Sequence, residues 1–248
     1  NKRFTQENDV DFSTYNEAPF VIDEAFTFYN DQYNEGEKSS NASSSLFVAG
    51  EGWGITRRNI GYVWGINSIN LENIYLGTAS PDIAYESVLV GSSNAAIPSG
   101  AGGNHHTKHT IGDSDFVLVD SVFSGYKSIF SSVSFPSNII GTNGVPNFNV
   151  SIVGDLGVST DYQSINYVSF KYPRLTNFSG ESKLDLEIIF NQSQGKTRID
   201  INGANLSNPV AFSFGSIPRI IPIIPNLGAY SLLVPNSTDM SNTKLIIE

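Results

Sequence analysis

Short apolar runs separated by turn residues are the main pattern along the chain. Between residues 46 and 174 such runs recur every 8 to 14 residues, the stretches 46–48 and 73–76 among them. Several alternate with a period of two, as Phe148, Val150 and Ile152 do with the polar residues between them. This period is that of a β-strand with one face in a core and one in water. Eight or nine such runs in about 130 residues predict a β-sandwich or jelly roll.

The regions on either side of this series divide the chain into three predicted parts. Residues 1–45 combine a polar, acidic arm, one strand at 20–29 and a flexible linker at 30–45 with almost no apolar side chains. Residues 46–174 are expected to form the jelly-roll-like sandwich. Residues 175–248 are expected to form a smaller β-domain, in which the alternating runs 184–190 and 196–201 predict a β-hairpin. No stretch shows a capped 3.6-residue period, so the predicted fold class is all-β.

Composition supports this fold class and argues against several classes of function. Only 15% of the 248 residues are charged, and polarity comes from Asn, Ser and Gly, which favour turns over helices. A net charge of −10 argues against nucleic acids and anionic membranes as partners. The most apolar stretch, 217–233, is broken by three prolines, so we expect no membrane insertion. The chain starts with Asn1 rather than Met, and we expect a mature product or a fragment of a longer protein.

The three histidines of the protein, His105, His106 and His109, lie within five residues of each other. On a helix, His105 and His109 would share a face with the spacing that zinc proteases use. On a strand the same two residues would lie about 13 Å apart, too far to share a metal ion. Glycines precede and follow the cluster, and the glutamate of a metalloprotease helix is absent. We therefore favour a structural or surface role, with a hydrolase built on this cluster as an alternative.

Two acidic pairs in predicted turns are candidate calcium ligands. Asp113 lies near Asp115, and Asp155 lies near Asp161, and calcium prefers clustered oxygen ligands on turns. Neither pair follows the loop pattern of a known calcium motif, and carboxylates in such turns commonly cap the backbone. We therefore predict no cofactor and keep structural calcium as an open alternative.

An early group of aromatic residues suggests a different function. Trp53, Trp64, Tyr62 and Tyr75 are core filler in the simpler interpretation, but when exposed they would stack on sugar rings. The chain would then be a glycan-binding or adhesion module of a bacterial surface protein. That hypothesis predicts that Trp53, Trp64 or Tyr126 group on one concave face.

Four passages, in this order, resemble a known family: residues 49–54, 104–112, 161–174 and 199–203. Together they are similar to the non-catalytic β-domains that precede the caspase-like domain in PorU-type sortases of the type IX secretion system, which belong to the gingipain-type cysteine peptidases of Bacteroidetes. The positions that match the family motifs, and that we expect to be structural, are Gly50, Gly52, Trp53, His105, His106, Gly112, Tyr172, Pro173 and Arg174. The chain departs from the family pattern at Gly54 and at Ile111, and Pro173 is the middle residue of the passage that matches the family's Tyr-x-Arg motif.

The resemblance implies a jelly-roll-like domain followed by a β-domain that leads into a peptidase. Pro173 lacks a backbone donor and therefore marks a strand end or edge, and Arg174 is expected to hold the next domain through a carboxylate. The family uses a cysteine thiolate, and this chain has no cysteine, so no catalytic residue can be transferred to it.

We therefore expect a non-catalytic fragment of an exported protein, located at the cell surface or associated with the outer membrane. It would position the downstream peptidase domain, or contact cargo proteins or secretion-system components. Glycan binding, with Trp64 and Tyr126 as ligand contacts, is the alternative.

Overall fold

Strands make up nearly all of the regular structure in the computed structural model, which describes residues 4–37, 48–190, 193–226, 228–237 and 242–248. The predicted all-β class is confirmed: the only helical elements in these ranges are the 3₁₀ turns Phe12–Thr14 and Ser137–Ile139. No helix in the described ranges is long and apolar enough to cross a membrane. In chain order the strands are β1 Thr5–Gln6, β2 Val21–Phe28, β3 Gln32–Glu35, β4 Glu51–Gly54, β5 Val63–Ile66, β6 Ile83–Gly91, β7 His105–Ile111, β8 Phe116–Phe123, β9 Lys127–Phe135, β10 Phe148–Ile152, β11 Gln163–Arg174, β12 Leu184–Ile188, β13 Lys196–Asn202, β14 Ala211–Phe214, β15 Pro218–Ile221, β16 Ile224–Asn226, β17 Ala229–Pro235 and β18 Thr243–Ile247.

Contacts between residues divide the chain into two units. The jelly-roll unit comprises Ala25–Glu72 and Thr78–Tyr172, and the terminal unit comprises Asn1–Glu24, Asn73–Gly77 and Pro173–Glu248. The division at Tyr172 lies next to the boundary expected after residue 174. The segments before Ala25 and at 73–77 group with the C-terminal part of the chain.

Eight strands of the jelly-roll unit form two four-stranded sheets. The neighbours in one sheet are β2-β11-β6-β9, and in the other β5-β10-β7-β8. When β3 and β4 are left out, β2 is the first and β11 the eighth strand of this unit along the chain. In that numbering one sheet has the order 1-8-3-6 and the other the order 2-7-4-5. This is the strand order of a jelly roll with two Greek keys. The extra strands β3 and β4 pair with each other in antiparallel fashion.

The core of the jelly-roll unit lies between its two sheets. Strand β10 alternates buried and half-buried residues, as the sequence pattern predicts. Phe148 of β10 meets Tyr85 of β6 and Phe170 of β11, with ring centroids 5.3 and 5.4 Å apart. All three rings are buried. Aromatic contacts of this kind add to the free energy gained by burying apolar surface.

The terminal unit is a second sandwich with its own core. One of its sheets has the order β1-β15-β14-β18-β12-β2 and includes residues 21–24 of β2, whose residues 25–28 belong to the jelly-roll unit. The other sheet has the order β13-β17-β16. Strand β1 pairs with β15 in parallel, whereas the pairs β12–β18, β13–β17, β14–β15, β14–β18 and β16–β17 are antiparallel. The core takes buried side chains from both sheets, among them Val21, Leu186, Ile199, Leu232 and Leu245.

Three local predictions are wrong. The runs at 184–190 and 196–201 do not form a hairpin, because β12 pairs with β18 and β13 pairs with β17 in the other sheet. Part of the predicted linker is the strand β3, whose backbone groups pair with β4. The run at 73–76 contains only an isolated bridge between Ile74 and Arg174. Residues 38–45 of the linker, and most of the run at 46–48, lie outside the described residues.

We predict that replacing Phe148 by Ala destabilises the protein by roughly 3–5 kcal/mol, because the substitution leaves a cavity between the two sheets. Phe130, whose side chain is 60% exposed on strand β9, provides a matched control, and F130A should change the free energy of unfolding by less than about 0.5 kcal/mol. Urea unfolding followed by circular dichroism measures both. Equal effects of the two substitutions would contradict the assignment of Phe148 to the core.

Candidate functional site

The three histidines lie on strand β7, not on a helix. His105 and His109 face the interior of the jelly-roll unit and are buried, while His106 points to the opposite side, as strand geometry requires. Their separation on a strand excludes a metal ion shared by His105 and His109. Each histidine instead has its own set of protein partners.

His105 forms a buried contact with Asp161, which precedes strand β11. The distance from His105 Nδ1 to Asp161 Oδ1 is 2.5 Å, and neither side chain has accessible surface. The same carboxylate accepts hydrogen bonds from the backbone N–H of His106 at 3.0 Å and from Gln163 Nε2 at 2.9 Å. The carboxylate therefore connects β7 of one sheet to the start of β11 in the other.

The hydrogen-bond partners of His105 determine which of its ring nitrogens carry a hydrogen. Nε2 lies 2.9 Å from the carbonyl oxygen of Ser93, and because a carbonyl only accepts, Nε2 must carry a hydrogen. One further proton then lies between Nδ1 and the Asp161 carboxylate. Because neither group has accessible surface, this pair is part of the interior of the jelly-roll unit.

His106 lies between two aspartates on the other face of β7. Its Nδ1 is 2.7 Å from Asp155 Oδ1, and its Nε2 is 2.7 Å from Asp120 Oδ1. Burial alone would lower the pKa of His106, but the hydrogen bonds and charges of Asp155 and Asp120 outweigh it and raise the pKa above its usual value. The hydrogen bond to His106 in turn lowers the pKa of Asp155. The arrangement favours an imidazolium held by carboxylates.

His109 has the opposite electrostatic environment. Burial lowers the pKa of His109 to about 4, so the ring is neutral at pH 7. Its Nδ1 is 2.7 Å from the hydroxyl of Tyr85, and its Nε2 is 3.1 Å from the hydroxyl of Thr107. The ring also meets Tyr85 and Phe148 edge-on, and it is part of the aromatic core.

The acidic pairs do not form calcium sites in the described residues. Asp155 and Asp161 bind different histidines, and both oxygens of Asp161 already accept hydrogen bonds. Asp113 accepts a hydrogen bond from Asn147 Nδ2 at 2.6 Å. Within the described ranges, no group of three or more His, Asp or Glu residues is arranged to hold a metal ion.

Two glycines of the family motifs occupy positions that require glycine. Gly50 has φ +73°, and a Cβ atom there would lie 3.2 Å from backbone atoms of Gly91 and Lys127. Gly112 follows β7 with φ +75°, and a Cβ there would lie 2.8 Å from the carbonyl oxygen of Ile139. Both positions combine a left-handed backbone with close backbone neighbours. Gly52 and Trp53 lie on β4, where Trp53 is paired with Tyr33 of β3.

The Tyr172-Pro173-Arg174 passage ends strand β11. The Tyr172 hydroxyl donates to the carbonyl of Glu72 within the jelly-roll unit. In the terminal unit, Arg174 Nη1 lies 2.6 Å from Asp23 Oδ2, and Nη2 binds Glu181. The guanidinium also lies 4.6 Å from the centre of the Phe178 ring. Arg174 is almost fully buried, so it organises three side chains of the terminal unit.

The aromatic residues singled out for glycan binding do not form one group. Trp64 is wrong as a ligand contact, because on β5 it alternates with the exposed Val63 and is itself only 5% exposed. Trp53 is 56% exposed, and its ring meets Tyr33 edge-on at 5.4 Å. Tyr75 stacks on Phe20 in the terminal unit.

Tyr126 lines a pocket of about 410 Å³ beside strand β3. The other lining residues come from β3 and from the loops that hold Arg57 and Ser92, all within the jelly-roll unit. Tyr126 is one of the residues expected to contact a ligand, and β3 lies within the stretch expected to be a linker. Asp155 and Asp161 were expected as one acidic pair, but each of them contacts a different histidine. A tyrosine within an otherwise polar run was the only sequence signal for β3.

Fold and site together define a two-unit all-β protein with a fully buried histidine–aspartate pair, His105 and Asp161. The absence of cysteine from the sequence excludes a catalytic cysteine in this chain. No protein-family model matches the sequence, and no curated protein matches it. Among solved structures, the chain is similar to the crystal structure of dimeric latent PorU from Porphyromonas gingivalis, with a TM-score of 0.56 and 11% sequence identity. The match covers 98% of this chain and 22% of the PorU chain. The chain therefore has the fold of a part of PorU, and it spans about a fifth of the length of that protein.

We predict that the contribution of His106 to stability depends on pH. Because the folded state raises the pKa of His106, its pairing stabilises fully below the unfolded pKa of about 6.5 and is lost as pH rises through the folded pKa. The variant H106Q should therefore be destabilised more at about pH 6 than at about pH 9, as measured by urea unfolding. His109 is present in both proteins, so its titration cancels. D155N should reduce the same pH dependence, and a destabilisation that is equal at both pH values would contradict the ion pairing.

We also predict that replacing Arg174 by Leu destabilises the protein by roughly 3–5 kcal/mol, because two carboxylates lose a buried cation. The variant R174K keeps the charge but cannot contact Asp23 and Glu181 through two separate nitrogen atoms. Its free energy of unfolding should therefore lie between those of R174L and the wild type. Lys183, which pairs with Glu248 at the surface, is the matched control, and K183L should cost less than about 1 kcal/mol. A similar loss in R174L and K183L would show that Arg174 does not organise the terminal unit.

Proposed function

We propose that this chain is a non-catalytic β-module of a longer PorU-like surface protein, in which it positions a peptidase domain and contacts cargo or secretion-system components. The observation that supports the proposal is the match of 98% of this chain to one part of PorU. Both units of the chain take part in this match, so the similarity is not confined to a common jelly roll.

Two further features are consistent with a supporting role. The contact between His105 and Asp161 has no accessible surface, and the chain has no cysteine to serve as a peptidase nucleophile. Catalysis in a PorU-like parent would then reside in other residues of the longer protein. There, removal of a secretion signal and transfer of cargo to surface lipopolysaccharide would be carried out by a cysteine and a histidine outside this module. Such a protein is exported and remains at the cell surface or associated with the outer membrane.

The gene downstream of the Glu248 codon gives a direct test. We expect several hundred further codons that include a Gly-His pair and, later, a cysteine. The expressed parent should release the C-terminal signal from a cargo protein. A stop codon directly after Glu248, or a downstream region without cysteine, would contradict the proposal.

A deletion then tests the role of the module itself. Removing residues 1–248 from the parent should leave cleavage of a short reporter peptide within about threefold of the wild type, because the peptidase chemistry lies elsewhere. Processing of a full-length cargo protein should fall at least about tenfold, which corresponds to roughly 1.4 kcal/mol of lost positioning energy. A parent carrying F130A in the intact module serves as the control. Equal cargo processing with and without the module would rule out the positioning role.

A further inference from the structure

The antiparallel ribbon of β3 and β4 rests on β11 through a glycine face. A Cβ atom on Gly54 would collide with the Ser164 hydroxyl, and one on Gly52 would lie 3.5 Å from Asn166 Nδ2. The same Asn166 Nδ2 donates a hydrogen bond of 2.6 Å to the carbonyl oxygen of Trp53. Because successive side chains of a strand point to opposite faces, the residues that alternate with these glycines face solvent.

The solvent face of the ribbon carries two exposed aromatic rings. Trp53 lies directly opposite Tyr33 in the ribbon, and the two side chains are 56% and 42% exposed. Their ring centroids are 5.4 Å apart, and the ring planes meet at 69°. The rings therefore form two adjacent walls at a steep angle. The negative potential over the face of an aromatic ring attracts a cation.

A carboxylate lies on the same face, next to these rings. The Tyr33 hydroxyl donates to Glu51 Oε1, and the backbone N–H of Val48 donates to Glu51 Oε2 at 2.9 Å. These hydrogen bonds lower the pKa of Glu51, so its carboxylate is charged at neutral pH. Each carboxylate oxygen has two acceptor positions, and each oxygen of Glu51 uses one of them for a described residue. The orientation of the carboxylate is therefore fixed, and it can still accept from a ligand.

The charge of the ribbon favours a cationic partner. The described stretches 31–37 and 48–54 hold four carboxylates and no lysine or arginine: Asp31, Glu35, Glu37 and Glu51. Glu35 and Glu51 are directly opposite each other in the ribbon, an arrangement that like charges disfavour and that a bound cation stabilises. The net charge of −10 has the same sign, so a basic partner is attracted over a longer distance as well.

An arginine side chain fits this surface better than a lysine side chain. The planar guanidinium stacks on aromatic faces, and its fork of N–H groups donates to both oxygens of one carboxylate. The lysine ammonium is a compact and strongly hydrated point charge, so it gains less from a ring. The surface is open, and a peptide can add backbone and side-chain contacts along the ribbon that a small cation lacks.

We propose that the solvent face of the β3–β4 ribbon binds an arginine side chain in a basic peptide segment of a partner protein, with the guanidinium stacked on Trp53 and Tyr33 and hydrogen-bonded to Glu51. The proposal goes beyond the supporting role given above and does not depend on it. It assigns to the exposed Trp53 a cation as ligand, in place of the sugar ring considered in the sequence analysis.

Isothermal titration calorimetry of the whole chain with the peptide acetyl-Gly-Arg-Gly-Arg-Gly-amide tests the proposal. We expect a dissociation constant on the order of 1 mM. A peptide with citrulline in place of arginine keeps the planar shape without the charge, and it should bind at least about tenfold more weakly. The peptide with lysine should bind about threefold more weakly than the arginine peptide. Tryptophan fluorescence gives an independent readout, because Trp53 is exposed and Trp64 is only 5% exposed.

Two substitutions place the binding on the ribbon. W53A removes one ring and should weaken binding of the arginine peptide about fivefold. E51Q keeps the size of the side chain but removes its charge, and it should weaken binding about tenfold. E51Q also provides a second variant in case W53A does not fold, and circular dichroism shows whether each variant is folded.

D82N and F130A are the matched controls and should bind like the wild type. Asp82 is exposed and precedes β6 at the end away from Gly91, whose carbonyl oxygen lies next to Gly50 before β4. D82N therefore removes one negative charge far from the ribbon, and F130A removes an exposed ring on β9.

Several results would overturn the proposal. They are no binding of the arginine peptide, equal binding of the citrulline peptide, and wild-type binding by both W53A and E51Q. A lysine peptide that binds as tightly as the arginine peptide would overturn the stacking of a guanidinium. Binding of the neutral disaccharide cellobiose, without binding of the arginine peptide, would assign the surface to sugars instead.

Discussion

A carboxylate without contact to water must receive hydrogen bonds from the protein, and Asp161 receives them from three residues on two sheets. Two of these, His105 and His106, are neighbours on β7, and the third, Gln163, starts β11. This arrangement fixes the register of β7 against its neighbours β8 and β10, because a shift by one residue would turn His105 outwards and leave the carboxylate unpaired. The jelly-roll unit therefore depends on a polar contact that sits within an otherwise aromatic core.

Much of the fold could be predicted from the alternation of apolar and polar residues. The strands at 63–66, 148–152 and 196–202 follow that pattern closely, since burial of alternate side chains is a local property. Pairing is not local, and this is why β12 and β13 were joined in a hairpin that does not exist. Strand β3 was missed because its pairing with β4 uses backbone groups and needs few apolar side chains.

The local sequence pattern was also insufficient to predict the candidate sites. Alternation on β5 places Val63 and Trp64 on opposite faces, but it does not say which face is the interior, and the larger side chain, Trp64, is the buried one. The cluster of histidines was visible in the sequence, whereas the aspartates that bind His105 and His106 lie 14 to 56 residues away. Asn34 Nδ2 is buried without a hydrogen-bond partner. Whether a buried amide finds a partner is determined by three-dimensional packing, which the local sequence pattern does not give.

The division of the chain also has a consequence for biosynthesis. The jelly-roll unit is complete once Tyr172 has been made, but β1 finds its partner β15 only roughly 200 residues after it has been synthesised. At about 5–20 residues per second, the first strand waits on the order of 10–40 s for this pairing. The jelly-roll unit can therefore fold on the ribosome while the N-terminal segment of the terminal unit is still unpaired. A chaperone that binds the nascent chain would encounter that segment first and longest.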